Sequence, residues 1–248
     1  MSSTPPTSDP AASPTYRLAA LDQDFLLSDA LRGVRFHLEY EKPEQTLRAA
    51  GIESTIVVFG SARSREDDPG DGARCYEAAR SFGRLASERG GACGGILPLR
   101  NVIATGGGPG IMEAANRGAR EAGAPTIGFN IALPHEQVPN PYITPSLTFQ
   151  FHYFAMRKMH FAMRAAALVV FPGGFGTFDE LFEILTLRQT GKMRSIPVVL
   201  FDEVFWRDVI GFEALARRGL IAREDLDLFR FAESPEQIWS CLVAQGLI

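Results

Sequence analysis

The sequence is poor in cysteine, histidine and lysine. Its 248 residues include three cysteines, Cys75, Cys93 and Cys241. An odd number of distant cysteines forms neither a disulfide framework nor a CxxC metal motif, and it suits a reducing cytoplasm. The four histidines, at positions 37, 135, 152 and 160, show no HExxH spacing. We therefore expect no metal site and a cytoplasmic location, and no cofactor of any kind is predicted.

Long apolar runs and an excess of positive charge are also absent. No run approaches the roughly 18 apolar residues that a transmembrane helix requires. The formal net charge is −4, whereas a general nucleic-acid binder needs a basic surface. Neither a membrane nor a nucleic acid is expected as a partner. Residues 1–15 are rich in Ser, Thr and Pro without a basic segment followed by an apolar one, which predicts a disordered tail and not a signal peptide.

The periodicity of apolar residues predicts an α/β domain over residues 16–248. Two helices are expected within 21–50, in an N-terminal helical extension that spans 16–50. Further along, short apolar runs alternate with amphipathic stretches. The strands are predicted at 55–59, 101–105, 125–129, 147–151, 167–171 and 196–201, and the helices at 72–89, 110–122, 152–166, 177–191, 206–217 and 234–245. Continuously apolar strands joined by helices are typical of a Rossmann-like, doubly wound parallel sheet with helices on both faces. Extra helices are expected at both termini.

Three glycine-containing loops follow predicted strands, at Gly60-Ser61, 106–110 and 172–177. In open parallel sheets the ligand lies at the carboxyl ends of the strands, and glycines there let backbone amides approach an anion. Two loops with three or more glycines therefore predict an anion-binding crevice, and the alternative is that the glycines only form tight turns. Glu113 replaces the third glycine of a dinucleotide fingerprint, and no Gly-Lys-Ser/Thr of a P-loop is present.

Glu180 is the candidate acidic residue of this crevice. It could face the ribose of a nucleotide and stabilise an oxocarbenium-like transition state or orient water. Its spacing from Thr177 also fits a capping box, which is the purely structural alternative. Glu183 is a second candidate on a similar helix face. Arg157 and Lys158, at the start of a predicted helix, indicate an anionic partner for at least one of them, and a solvated pair of charges is the alternative.

The segment Pro172-Gly-Gly-Phe-Gly-Thr-Phe-Asp-Glu180 resembles the PGGxGTxxE signature of the LOG family of cytokinin-activating phosphoribohydrolases, long labelled lysine decarboxylases. Residues 106–116 are similar to the first glycine loop of that family, and Arg157-Lys158 is similar to its basic motif. The resemblance implies hydrolysis of a nucleoside 5′-monophosphate to a free base and ribose 5-phosphate. It also implies that Glu180 and Arg157 are catalytic.

Most of the remaining site residues follow from the same resemblance. It implies that Gly174, Gly176 and Thr177 hold the phosphate, and that Gly107, Gly108 and Glu113 line the nucleotide site. The other substrate-binding candidates are Ser61, Lys158, Gly173 and Glu183. Phe154 stands where shorter members usually have Met, and the terminal extensions resemble the longer bacterial group. An ordinary purine or pyrimidine nucleotide is therefore as plausible a substrate as a cytokinin nucleotide.

One other interpretation remains open at this point, and a second is rejected. A non-catalytic carrier of a nucleotide or phosphorylated cofactor would use the same glycine loops, whereas retention of Glu180 and Arg157 favours an enzyme. A pyridoxal-phosphate decarboxylase needs a Schiff-base lysine, and the chain has only Lys42, Lys158 and Lys192, none in a convincing pocket context. The resemblance also implies at least a homodimer, with the helix bearing Arg157 near the interface.

Overall fold

The computed structural model of the chain describes residues 9–134 and 138–247. Most of the predicted tail, residues 1–8, and His135 lie outside the described residues. Residues that follow form two short 3-10 turns, Pro10–Ala12 and Pro14–Tyr16, with no buried side chain. Among the described residues, no helix combines the length and the apolar character that crossing a membrane would require.

Seven strands and nine α-helices make up the described part of the chain. The strands are β1 Thr55–Phe59, β2 Val102–Thr105, β3 Ile127–Ile131, β4 Thr148–Phe151, β5 Ala165–Val170, β6 Val198–Phe201 and β7 Arg230–Ala232. The helices are α1 Gln23–Leu26, α2 Arg32–Ala49, α3 Asp71–Arg89, α4 Ile111–Glu121, α5 Phe154–Arg164, α6 Phe175–Gln189, α7 Glu203–Val209, α8 Phe212–Arg217 and α9 Pro235–Ala244.

The strands form one parallel sheet in the order β4-β3-β2-β1-β5-β6-β7. The chain winds outwards from β1 to β4 and then returns to the other side of β1 with β5. This reversal between β1 and β5 is the topological switch point at which doubly wound sheets bind ligands. The predicted Rossmann-like α/β class is confirmed.

Alternate side chains of each strand enter two separate hydrophobic cores. In β1, Ile56 and Val58 face α3, α4 and α9, whereas Val57 and Phe59 face the core of α2, α5, α6 and α7. Strand residues alternate between the two faces of a sheet, so a strand that is apolar throughout must be covered on both sides. The continuous apolar runs of the sequence therefore correspond to the central strands of a three-layer structure.

The N-terminal extension is fastened to α5 at both ends of that helix. The carboxylate of Glu39 in α2 accepts the backbone N–H of His152 at 2.7 Å and of Tyr153 at 3.2 Å, just before α5 begins. A carboxylate at this position satisfies unpaired amides and complements the helix dipole. Near the end of α5, Arg164 forms a buried ion pair with Glu44 of α2, with 2.9 Å between Nη2 and Oε1. The extension therefore fixes α5 in position.

Two details of the C-terminal half differ from the predictions. The helix expected over 206–217 is two helices, because Ile210 adopts an extended conformation between α7 and α8. Strand β7 was not predicted. With only three residues it is too short for alternation to be visible in the sequence, and it is recruited by pairing with the edge of β6.

Candidate active site

The loops after β1, β2 and β5 meet at the carboxyl end of the sheet. The backbone N–H of Ser61 donates to the carbonyl oxygen of Pro172 at 2.9 Å, and the carbonyl oxygen of Ser61 accepts the N–H of Ile111 at 3.0 Å. Ser61, in the loop after β1, is thus hydrogen-bonded to the loops that follow β5 and β2. The three predicted loops form one connected floor at the switch point.

A cavity of about 690 Å³ lies above this floor. Residues of the three glycine-containing loops, two arginines and a set of apolar side chains surround it. Its lining consists of Phe59, Gly60, Ser61, Ala62, Arg63, Gly106, Met112, Ile131, Leu133, Phe154, Arg157, Gly174, Phe175, Gly176, Thr177 and Phe178. This size falls within the range of small-molecule sites, which are typically apolar with a few polar groups.

Helix α6 directs its N-terminus into the cavity. The helix begins at Phe175, and Gly174 is the N-cap without a side-chain cap. Among the described residues, the backbone N–H groups of Phe175 and Gly176 have no acceptor, as expected for the first turn of a helix. Unpaired amides and the positive end of the helix dipole together form a site for an anion such as phosphate.

The capping-box explanation of Glu180 is wrong. Thr177 is the third residue of α6 and not its N-cap, and its own N–H donates to the carbonyl oxygen of Gly174 at 2.9 Å. Glu180 therefore lies in the second turn of the helix, away from the first-turn amides, and its carboxylate binds Arg157 instead.

A buried ion pair joins α5 to α6 beside the cavity. The Nη2 atom of Arg157 lies 3.1 Å from Oε1 of Glu180, and the two side chains are only 13% and 4% exposed. The Arg157 guanidinium also contacts the rings of Phe154 and Phe161, with its central carbon 5.3 and 5.6 Å from their centroids. Its Nε atom is buried and has no acceptor among the described residues. Arg157 therefore binds Glu180 and also lines the cavity.

Burial raises the pKa of Glu180, and the nearby charges of Arg157 and Lys158 lower it, with a net pKa above the ordinary carboxyl value. Removal from water disfavours the charged form of a carboxyl group, whereas a neighbouring cation favours it. A carboxyl group whose pKa is raised in this way is typical of active sites. Glu180 is thus an acid–base candidate, and Arg157 is the group that keeps it ionised.

Lys158 occupies a second, more exposed part of the same helix contact. Its Nζ atom lies 2.8 Å from Asp179 and 2.9 Å from Glu183. Burial lowers the pKa of Lys158, but the two carboxylates raise it, and the net pKa lies above the ordinary lysine value. The solvated-pair alternative for Arg157 and Lys158 does not hold, because the Lys158 side chain is also only 15% exposed.

The structure brings only part of the predicted site together. Five predicted residues line the cavity: Ser61, Arg157, Gly174, Gly176 and Thr177. Glu180 does not line the cavity, but it binds Arg157, which does. Lys158 and Glu183 bind each other outside its lining. Gly173 lines a neighbouring cavity and lies so close to Thr177 that a Cβ there would be 2.2 Å from the hydroxyl oxygen.

Three predicted residues of the Gly106 loop and of the first turn of α4 do not line this cavity. Gly107 has a φ of 72° and packs against the side chain of Asn130, so it makes a turn. The carbonyl oxygen of Gly108 accepts a hydrogen bond from Asn140. Glu113 accepts one from the hydroxyl of Tyr76 at 3.1 Å and lines a separate cavity of about 270 Å³. From this loop it is instead Gly106 that reaches the lining.

The sequence analysis missed one cation and most of the apolar wall. Arg63 lies two residues beyond Ser61, and no spacing rule distinguishes it from other surface arginines. The apolar residues come from four distant segments of the chain: Met112, Ile131 and Leu133, Phe154, and Phe175. Only the fold places them together, although Phe175 stands inside the PGGxGT segment and was available as a candidate.

Comparisons with known proteins identify relatives of this chain. The family model described as "possible lysine decarboxylase" matches residues 112–242. The rice protein "Cytokinin riboside 5'-monophosphate phosphoribohydrolase LOG" (Oryza sativa subsp. japonica) is 27% identical over 180 residues, which cover 71% of this chain and 67% of that protein. LOG4 of Arabidopsis thaliana, with the same activity in its name, is 29% identical over 145 residues, covering 56% of this chain and 66% of that protein.

Solved structures share the fold at lower identity. The molybdenum cofactor binding protein from Rippkaea orientalis is 20% identical with a TM-score of 0.53, over 77% of this chain and 96% of that chain. A molybdenum cofactor carrier protein from Chlamydomonas reinhardtii is 22% identical with a TM-score of 0.51, over 79% of this chain and 98% of that chain. These likenesses confirm the Rossmann-like fold. Since the family model spans more than half of the sequence, this chain belongs to the possible lysine decarboxylase (LOG) family.

Proposed function

We propose that this protein hydrolyses the N-glycosidic bond of a nucleoside 5′-monophosphate. The products are the free base and ribose 5-phosphate. The observation that carries the proposal is the buried Arg157–Glu180 pair, because a carboxylate of raised pKa is bound to an arginine that lines the same cavity as the first turn of α6. The activity named for the rice and Arabidopsis relatives supports the same reaction.

The first turn of α6 is the proposed phosphate site. The unpaired amides of Phe175 and Gly176 and the hydroxyl of Thr177 are the groups available to phosphate oxygens there. Backbone donors need no side-chain ordering when a ligand binds, and the helix dipole favours a negative charge at this end. A phosphate held at this turn would direct the attached ribose towards the Arg157–Glu180 pair.

Glu180 is the proposed catalytic carboxylate. During cleavage the C1′–N bond breaks, positive charge develops on the ribose, and a water oxygen bonds to C1′ while a proton passes to the base. An ionised carboxylate can stabilise that charge or orient the water. Arg157 would favour the ionised form of Glu180 and, as a residue of the cavity lining, donate to a substrate oxygen.

The apolar wall is the proposed site for the base. Met112, Ile131, Leu133 and Phe154 line the cavity together with Phe175, whose side chain is 94% exposed at the rim. An aromatic ring that is solvent-exposed in the absence of ligand is suited to stacking on a planar base. This lining suits purines, pyrimidines and cytokinins alike, and all three are therefore included in the activity assay.

A carrier protein is the second candidate, because fold relatives are named for binding or carrying the molybdenum cofactor. A site that only holds a phosphorylated ligand gains nothing from a buried carboxylate near the anion, since like charges repel. Glu180 is buried in the second turn of α6, where it is bound by an arginine that lines the cavity. This arrangement favours catalysis over transport.

The residues do not fit the lysine decarboxylase description of the family. A pyridoxal-phosphate enzyme requires a lysine whose amine can become neutral and attack a carbonyl. Lys158 is held by two carboxylates that raise its pKa, and Lys42 and Lys192 are exposed and lie outside the glycine loops. None of the three lysines is therefore suited to forming a Schiff base.

An activity assay with a matched control tests the proposal. Purified protein is given AMP, CMP and isopentenyladenine riboside monophosphate, and chromatography measures the released base. Arg157→Ala and Glu180→Gln should each reduce release by at least about a hundredfold, within the range attributed to general acid–base groups. Glu44→Gln disrupts the other buried ion pair of α5, with Arg164, and should lower stability while leaving the turnover number unchanged.

The possible results separate the two candidates. Release of a base from at least one nucleotide, lost in Arg157→Ala and Glu180→Gln but not in Glu44→Gln, supports the hydrolase. If the wild-type protein binds nucleotides and releases no base, the carrier interpretation replaces it. Equal losses in all three variants would show that the ion pairs matter for folding only.

The protein is further proposed to act as at least a homodimer through α5. Phe154 and Met163 of α5 and Phe182 of α6 are each more than a third exposed, and large apolar groups on adjacent helices are typical of interfaces. Sedimentation at micromolar concentration should give twice the monomer mass. Met163→Glu should shift the population to monomer, and an unchanged mass would argue against this interface.

A further inference from the structure

The charges of the cavity lining are unevenly balanced. Two arginines, Arg63 and Arg157, belong to the lining, and no carboxylate of the described residues does. The charge of Arg157 is largely matched by Glu180 at 3.1 Å. A doubly charged phosphate at the N-terminus of α6 would therefore face the partial charge of the helix and a cation that is already paired.

Arg63 is the cation of the lining that has no carboxylate partner among the residues that the structure describes. No carboxylate lies within 4 Å of its guanidinium among residues 9–134 and 138–247, and its side chain is exposed. Its backbone is fixed, because the N–H of Arg63 donates to the hydroxyl oxygen of Ser61 at 3.1 Å. Ser61 in turn is bonded to the loop that precedes α6. An exposed guanidinium therefore extends from a fixed loop that lines the same cavity as the first turn of α6.

We propose that Arg63 is a substrate-binding residue that pairs with the phosphate and restricts the site to phosphorylated nucleosides. The inference rests on the proposed function and adds a residue that determines specificity. Guanidinium matches the geometry of phosphate oxygens with two parallel hydrogen bonds, which a lysine cannot reproduce. Without a carboxylate partner in the described structure, Arg63 gives up no ion pair when it binds the ligand.

Arg65 provides the matched control. It lies two residues further along the same loop and is also exposed, but it lines the separate cavity of about 270 Å³ that contains Tyr76 and Glu113. Replacing either arginine by alanine changes the net charge of the protein by the same amount. A difference between Arg63→Ala and Arg65→Ala therefore reports the position of the charge and not the general field of the molecule.

Equilibrium binding is the measurement that decides the proposal. Calorimetry compares AMP with adenosine for Arg63→Ala, Arg63→Lys and Arg65→Ala, each in the Glu180→Gln background so that turnover is suppressed. Arg63→Ala should weaken AMP binding roughly ten- to hundredfold, as expected for a charge-assisted hydrogen bond, and leave adenosine binding unchanged. Arg63→Lys should recover part of the loss, and Arg65→Ala should bind AMP within about twofold of the Glu180→Gln parent.

Two outcomes would overturn the role of Arg63. Equal losses in Arg63→Ala and Arg65→Ala would indicate a general electrostatic effect, and equal losses for AMP and adenosine would indicate a collapsed loop. The binding measurement does not depend on whether the protein hydrolyses the nucleotide. If wild-type protein releases no base but AMP binding depends on Arg63, the hydrolase proposal fails and this inference stands. If base is released and Arg63→Ala leaves the KM for AMP unchanged, only this inference fails.

Discussion

At the scale of single residues, the ionisation of Glu180 determines when the proposed site can work. Burial raises its pKa, while Arg157 and Lys158 lower it. A carboxylate that must be ionised is active above its pKa and inactive below it. Activity should therefore decline, as pH falls, at a pH above the ordinary carboxyl value of 4.5.

Lys158 allows this pH dependence to be tested without breaking the Arg157–Glu180 contact. Lys158→Ala removes a positive charge that lowers the pKa of Glu180, so the acidic limb of the kcat/KM profile should move to higher pH. Lys158→Arg keeps the charge and should leave the limb in place. A pH profile that does not move in Lys158→Ala would show that Glu180 is not the group titrating in it.

At the scale of elements, the close approach of α3 and α4 depends on glycine. A Cβ at Gly118 of α4 would lie 1.8 Å from the carbonyl oxygen of Arg80 in α3, and one at Gly83 of α3 would lie 2.3 Å from that of Ala115. Backbone atoms cannot move aside as a flexible side chain can. These glycines set the distance between two helices that cover one face of the sheet.

Alanine substitutions should separate packing from helix propensity. Gly118→Ala should destabilise the protein by about 1–3 kcal/mol, because the helices must move apart. Gly33→Ala in α2 meets no atom within 4 Å, so it should stabilise the protein by up to about 1 kcal/mol through helix propensity. Urea denaturation measures both. A neutral Gly118→Ala would mean that α3 and α4 can separate at little cost.

At the scale of the whole molecule, contacts of α2 with α5 govern the response to acid. Burial lowers the pKa of His160 below 6.5, although nearby Glu39 and Glu44 oppose the shift. The hydrogen bond from Arg164 lowers the pKa of Glu44 below 4.5, against the effect of burial. Both groups bind protons more weakly in the folded state than in the unfolded state, so both stabilise the fold at neutral pH and lose that contribution as pH falls.

The loss of stability should therefore occur in two pH windows. The free energy of unfolding should begin to decrease below about 6.5, as His160 protonates in the unfolded chain, and decrease again below about 4.5 through Glu44. His160→Gln should remove the upper window alone. Urea titrations at pH 7.5, 6.0, 5.0 and 4.0 measure both windows. An equal decrease between pH 7.5 and 6.0 in both proteins would exclude His160 as the cause.

Local patterns in the sequence predict the central strands of the sheet and the loops at their carboxyl ends. Continuous apolar runs such as Thr55–Phe59 predict buried parallel strands, because only strands covered on both faces lack alternation. The glycines that follow β1, β2 and β5 mark the carboxyl ends of those strands. These signals are local, since they depend on the backbone and on immediate neighbours in the chain.

Which residues share the cavity depends on long-range packing and cannot be predicted from local sequence patterns. Arg157 and Glu180 are 23 positions apart and meet because α5 and α6 flank β5. Glu113 lies in the first turn of the helix after a glycine loop yet lines a different cavity, while Leu133 and Arg63 line the proposed site without any motif. Side-chain direction and long-range packing fix these positions, and neither is encoded in the local spacing of residues.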